Sequence, residues 1–138
     1  MITKEELLKW QHDEAFQLKK IKEDGYRIKY IRNPSEKVCL EAVKRNWGSI
    51  QHIHNPLEKI QLEAVKKDGY SIGYIHNPSE EVQLEAVKQD GMSIQYIHNP
   101  SKEVCLEALT EENCDEVIKH IDIKRYPDIY EKYCFMKI

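Results

Sequence analysis

Apolar side chains fall at Val82, Leu84, Ala86 and Val87, then at Ile94 and Ile97, with polar residues between them. On a helical wheel the first four cover more than half the circumference and leave Glu81, Glu85 and Lys88 facing out. A helix on the outside of a globule shows a narrower stripe, so this one is expected to be contacted on several sides. Ile94 and Ile97 are three apart, the spacing of one buried edge of a short α- or 3₁₀-helix over Met92–Ile97. So short a helix does not persist alone, and stacking has to hold it.

The pattern repeats. Pro34, Pro56, Pro78 and Pro100 recur every 22 residues, as do Asn33, Asn55, Asn77 and Asn99, and Leu40, Leu62, Leu84 and Leu106. A fixed period of this length marks a stacked repeat architecture. Asn77 reads as an N-cap with Pro78 at the first helical position and Glu80 completing a capping box; Glu36 and Glu58 repeat this and Lys102 breaks it. The helix is expected to run to about Gln89 and stop at Asp90-Gly91, with Gly91 the left-handed residue after the helix. Gly25 and Gly69 hold the same place, whereas Trp47 takes it in the second unit and Gly48 follows one step late.

The ends depart from the pattern as terminal repeats should. Thr3-Lys4-Glu5-Glu6 is a capping box opening a helix with Leu7, Leu8 and Trp10, and Asp13 caps a second helix carrying Phe16, Leu18 and Ile21. After Leu109 the register slips by two: Val117–Ile121 resembles the short helix, and Pro127 starts a last helix with Ile129, Tyr130, Tyr133, Cys134 and Met136. That helix reads as a cap for the stack, the alternative being an apolar surface for self-association or a partner. The expectation is a single all-α domain, an α-solenoid of 22-residue units, each one α-helix plus one short α/3₁₀-helix. Residues 1–32 form the N-terminal cap and a degenerate unit, 33–109 the regular repeats and 110–138 the C-terminal cap.

Composition narrows the function classes. The 138 residues carry a net charge of −3, against a generic polyanion binder. Residues 1–69 hold 14 basic and 11 acidic groups (+3) and residues 70–138 hold 7 and 13 (−6), so one end is mildly basic and the other acidic. No apolar run reaches membrane-span length and MITKEELLKW has no signal-peptide core, so a cytoplasmic protein without membrane contact is expected.

His54, His76 and His98 form a column led by Arg32. Stacked helices lie about 8–10 Å apart while zinc ligands sit about 2 Å from the ion, so adjacent units cannot readily share a metal. The structural reading puts each ring beside a helix start or paired with Glu81 and Glu103. Tyr30, His52, Tyr74 and Tyr96 form a second column, suited to stacking bases or anchoring a peptide, or simply to filling the groove between helix layers. Cys39, Cys105, Cys114 and Cys134 contain no CxxC pair. Cys39 and Cys105 share one repeat position three units apart, too far to pair directly, and read as small, partly buried fillers in a reducing compartment. Glu41, Glu63, Glu85 and Glu107 are expected on the exposed face, Glu41 with Arg45 and Glu63 with Lys67 as i,i+4 pairs. No catalytic, cofactor or metal motif stands out, and a non-enzyme is expected.

Positions identical in every unit serve stacking; those that differ can read a partner. They are Lys37/Lys59/Glu81/Glu103, Arg45/Lys67/Gln89/Glu111, Lys29/Gln51/Gly73/Gln95 and Tyr26/Gly48/Tyr70/Met92. The first two drift from basic to acidic, so a partner with the opposite gradient docks one way only. The candidate partner-binding residues are Tyr30, Arg32, Lys37, Arg45, His52, Lys59, Lys67, Tyr74, Glu81, Gln89, Tyr96 and Glu103, with another protein as the expected partner. The alternative is a nucleotide or nucleic acid bound by Tyr30, Tyr74, Tyr96, Arg32 and the basic first half.

Over residues 13–109, NPSEEVQLEAVKQDG and its copies resemble the leucine-rich variant repeats, whose Asn-Pro units alternate an α-helix with a short 3₁₀-helix in a right-handed superhelix. They also resemble a bacterial and viral repeat family of unknown function, marked by text like Leu84–Gly91 followed by a short Ile-Tyr helix. The resemblance implies a helical-repeat fold without a catalytic motif. It also implies a setting in phage or mobile-element proteins, where a small inhibitor of another protein would fit.

Overall fold

A computed structural model describes residues 1–138 and contains helices only. The repeats are α2 (Glu14–Glu23) with 3₁₀-helix η1 (Gly25–Tyr30), α3 (Glu36–Arg45) with η2 (Trp47–His52), α4 (Glu58–Lys67) with η3 (Gly69–Tyr74), and α5 (Glu80–Gln89) with η4 (Gly91–Tyr96). α6 (Lys102–Ala108) starts a shortened fifth unit, followed by α7 (Cys114–Val117) and η5 (Ile118–His120). α1 (Lys4–His12) and α8 (Pro127–Met136) lie at the two ends. Successive α-helices pack on one another, successive 3₁₀-helices do the same through η4, and each α-helix also rests on the 3₁₀-helix of the unit before it. The chain is an α-solenoid.

The core is a line rather than a globule. Ile28, Ile50, Ile72 and Ile94 are fully buried in the 3₁₀ layer, and Val38, Ala42, Ile60, Ala64, Val82, Ala86, Val104 and Ala108 in the α layer. Each large aliphatic side chain so buried contributes about 1.5–3 kcal/mol. The wide stripe is explained by this threefold contact. The leucine column is different: Leu40, Leu62, Leu84 and Leu106 are only half-buried against the core, so truncating Leu84 costs less than the about 2–5 kcal/mol of a full core site. Glu41, Glu63 and Glu85 are half-buried rather than exposed, and neither Glu41–Arg45 nor Glu63–Lys67 forms an ion pair.

The helix starts lie two residues later than the Asn-Pro motif suggests. Ser35, Ser79 and Ser101 are the N-caps, accepting from the N–H of Val38, Val82 and Val104 at 3.3, 3.4 and 3.3 Å. Asn55, Asn77 and Asn99 turn the chain with φ of 47°, 48° and 50°, a left-handed conformation that asparagine tolerates better than most residues. Glu80 is therefore the first helical residue, unable to close a capping box on Asn77. It reaches the next unit instead, where the Ser101 hydroxyl donates to it, as the Ser79 hydroxyl donates to Glu58. Leu57 breaks the row; α4 has no side-chain cap, and Lys59 from that unit pairs with Glu36.

The glycines also act otherwise than expected, since none has positive φ. Asp24, Asp68 and Asp90 end the α-helices in extended conformation and cap the 3₁₀-helices, accepting from the N–H of Tyr26, Tyr70 and Met92 at 3.0, 2.9 and 2.8 Å. Glycine follows because the next unit presses on it: a Cβ on Gly69 would stand 2.5 Å from the Ala86 carbonyl oxygen. In the second unit a Cβ on Gly48 would stand 2.5 Å from the Tyr26 hydroxyl; nothing in the structure explains Trp47 at the place where the other units have glycine.

The capping box at Thr3 and the cap at Asp13 are both present. At the other end Ile129 is fully buried, Tyr133 and Met136 pack on the core, and Lys132 donates to the Leu106 carbonyl at 3.3 Å. Asp115 ties α8 down by accepting from Tyr133 at 3.0 Å and Lys137 at 2.7 Å. Phe135 stays outward.

Candidate binding groove

Where each 3₁₀-helix ends and its Asn-Pro turn begins, the surface is hollowed. Five hollows of roughly 190–540 Å³ follow one another along the stack. Neighbours share walls: Arg32 and Asn33 belong to the first and second, His54 and Asn55 to the second and third, His76 to the third and fourth, His98 to the fourth and fifth. They form one groove. Its floor is built by the buried residue that follows each 3₁₀-helix, Ile53, Ile75 and Ile97, whose N–H bonds back to Ile50, Ile72 and Ile94 and so aims the next side chain outward.

The aromatic column runs along the same layer. Tyr30, Tyr74 and Tyr96 are 46%, 51% and 52% exposed, so about half of each side chain is open to solvent. Each ring is held edge-on or tilted by one from the preceding unit: Trp10 against Tyr30 at 5.6 Å, Tyr26 against His52 at 6.2 Å, Trp47 against Tyr74 at 6.4 Å and Tyr70 against Tyr96 at 5.8 Å. Such pairs contribute about 0.5–1.5 kcal/mol beyond burial and fix the rings with one side free. Burial, with Asp90 beside it, pushes the Tyr70 hydroxyl above its usual value and keeps it protonated.

The polar walls have their own logic. Gln61 and Gln83 donate to the carbonyls of Pro56 and Pro78 at 2.8 and 3.0 Å, each five residues back, and the Cys39 thiol points at Pro34 in the same way at 3.9 Å. In the fifth unit Tyr126 donates to the Pro100 carbonyl at 3.3 Å. Burial pushes the Cys39 and Cys105 thiols up to about 11, so both stay protonated and unreactive at neutral pH. All four cysteines are free thiols; Cys39, Cys105 and Cys114 are buried and Cys134 is exposed.

Of the residues singled out in the sequence, Arg32, His52, Tyr74 and Tyr96 line the hollows, and Tyr30 stands on the same layer. Lys37, Lys59, Glu81 and Glu103 occupy the second position of α3–α6, at the groove end of each helix. Arg45, Lys67 and Gln89 are the last residues of α3–α5, eight positions and about 12 Å further along, so they belong to a separate edge. Lys59 is already paired to Glu36. His76 and His98 are exposed and form no ion pair with Glu81 or Glu103.

The groove also contains residues that the repeat pattern hid. His12 enters from α1, and His120, Asp122 and Arg125 enter beyond the two-residue slip. Ile121 closes η5 on Ile118 just as Ile97 closes η4 on Ile94, so His120 continues the tyrosine column and Asp122 the histidine column at a spacing of 24. Matching the chain by its 3₁₀-helix endings rather than by its Asn-Pro motif places His120 and Asp122 in the columns, whereas nothing in the repeat pattern points to His12 or Arg125.

Two-helix units stacked behind one open groove define an all-α helical-repeat protein. No protein-family model, curated protein or solved structure matches this chain. No helix is long and apolar enough to cross a membrane.

Proposed function

We propose that this chain is a non-enzymatic binding module that takes another protein along the groove. The observation that carries the proposal is the row of half-exposed tyrosines, each held by a ring of the unit before. Tyrosine is enriched at protein interfaces because it offers a large amphipathic surface at little cost in side-chain entropy. A row of rings already fixed has less to lose on binding. The resemblance of the units to repeats in phage and mobile-element proteins favours an inhibitor of a second protein as the setting.

A second reading, a nucleotide or nucleic acid stacked on Tyr30, Tyr74 and Tyr96, draws on the same exposed rings. The groove supplies only two permanent cations for phosphates, Arg32 and Arg125, which makes it the weaker reading. Pull-down from nuclease-treated and untreated lysate separates the two. The expected result is a protein captured in both, lost on Tyr74→Ala with Tyr96→Ala while the melting temperature holds. Capture that disappears with nuclease overturns the protein reading.

A further inference from the structure

All six histidines of the chain line this one groove: His12, His52, His54, His76, His98 and His120. A protein with net charge −3 thus sets its whole supply of imidazole on a single face. The only carboxylates in the walls are Glu36 and Asp122. Glu36 pairs with Lys59, whereas Asp122 forms no ion pair and its Oδ1 accepts from the backbone N–H of Lys124 at 3.1 Å and of Arg125 at 3.3 Å. From these charges we infer that the groove binds an extended, carboxylate-rich peptide segment, more tightly as the pH falls from 8 to 6. The inference rests on the protein-binding reading above and names the chemistry of the partner.

Imidazole is the side chain whose ordinary charge change falls between about pH 5 and 8. His54 faces Arg32, Glu36, His52, Cys39, Tyr74 and His76. His52 faces Arg32, Glu36, Cys39 and His54 and lies against the Tyr26 ring. His76 faces Tyr74, Tyr96, His54 and His98. His98 and His120 share a hollow with Asp122, Arg125, Tyr126 and Cys105, and His12 faces Arg32. Asp122, beside His98 and His120, forms no ion pair, and Glu81 and Glu103 stand exposed at the groove end of α5 and α6. In the hollows of His54 and His76 the one carboxylate is Glu36, already paired, so charge added there is open to a ligand. Protonated neighbours also repel one another, and an anionic strand relieves that repulsion.

The repeat suits a peptide strand. Adjacent units stand about 8–10 Å apart and an extended chain rises about 3.3 Å per residue, so each unit spans about three residues. Once per unit an exposed asparagine stands in the groove. Asn33, Asn77 and Asn99 offer an amide donor and acceptor matching a peptide group, whereas the Asn55 amide nitrogen lies 3.2 Å from His54 Nε2 and holds that ring. A nucleic-acid strand would use the rings, but it would find few permanent cations at neutral pH.

The test is fluorescence anisotropy on the full chain with four labelled probes. These are a peptide of about 12 residues alternating Glu and Ala, matching four units, its Lys counterpart, its Gln counterpart and a single-stranded oligonucleotide of the same length. The Glu peptide is expected to bind at pH 6 and about tenfold more weakly at pH 8, with the Lys and Gln peptides weak at both. His54→Gln, His76→Gln and His98→Gln together should remove the pH dependence; Arg32→Gln should weaken binding at both pH values and keep it. Equal binding of the Lys peptide, or a pH dependence that survives the triple substitution, overturns the inference. Tighter binding of the oligonucleotide overturns it in favour of nucleic acid. Protein capture that needs Tyr74 and Tyr96 but ignores pH and the triple substitution overturns this inference alone and leaves the proposed function standing.

Discussion

Adding one methyl group at Gly69 tests how the units meet. Its Cβ would lie 2.5 Å from the Ala86 carbonyl oxygen and 2.5 Å from Ser93 Oγ. The hydroxyl can rotate away, but the carbonyl belongs to α5 and already accepts from the Asp90 N–H at 3.0 Å. The next unit must move, and overpacking of that kind costs about 1–3 kcal/mol. Against it stands a gain of about 0.4–1 kcal/mol from a stiffer unfolded chain, available because Gly69 does not need positive φ. The cost wins, for a net loss of about 1–2 kcal/mol and a fall in melting temperature of about 3–8 °C. Gly73 in the same short helix is the control. Its Cβ would meet nothing nearer than the Tyr96 ring at 3.4 Å, so Gly73→Ala keeps only the gain. Thermal and urea unfolding followed by circular dichroism measures both variants. If Gly69→Ala proves as stable as Gly73→Ala, glycine is not there for close stacking and the account of the unit interface fails.

Other expectations follow from the same contacts. Leu57→Ser supplies the cap that α4 lacks and should raise stability by about 0.5–1 kcal/mol in urea unfolding; an unchanged midpoint would show that the serine caps elsewhere in the stack contribute little. Ser93→Ala removes a buried hydroxyl without a hydrogen-bond partner and should be neutral or stabilising by up to about 1 kcal/mol, and a clear loss would reveal a partner for it. The Asp115 carboxyl is held below its usual range by the hydrogen bond from Lys137 and then that from Tyr133. Its contribution to seating α8 is complete above about pH 4 and disappears as the pH falls through the depressed value. Hydrogen exchange should show α8 loosening in that acid window and Lys137→Met blunting the effect; exchange independent of pH there would remove Asp115 from the clamp.

The alternation of long and short helices, the caps at Thr3 and Asp13 and the order of the stack were legible in the sequence. Each depends on residues within one turn or one 22-residue period of each other, and a periodic chain repeats that local information. The roles of Gly69, Ser79 and Leu84 were not legible, because each is settled by a residue of the neighbouring unit: the Ala86 carbonyl over Gly69, Glu58 beneath Ser79, the edge of the core beside Leu84. The groove belongs to the same class. His12 and His120 stand outside the repeated motif and join the histidine row only because α1 and η5 fold onto the ends of the stack. Sequence by itself determined the unit and its period, since these are local; the tertiary structure decided which faces meet and which stay open, since contact between units is a matter of distance across the stack.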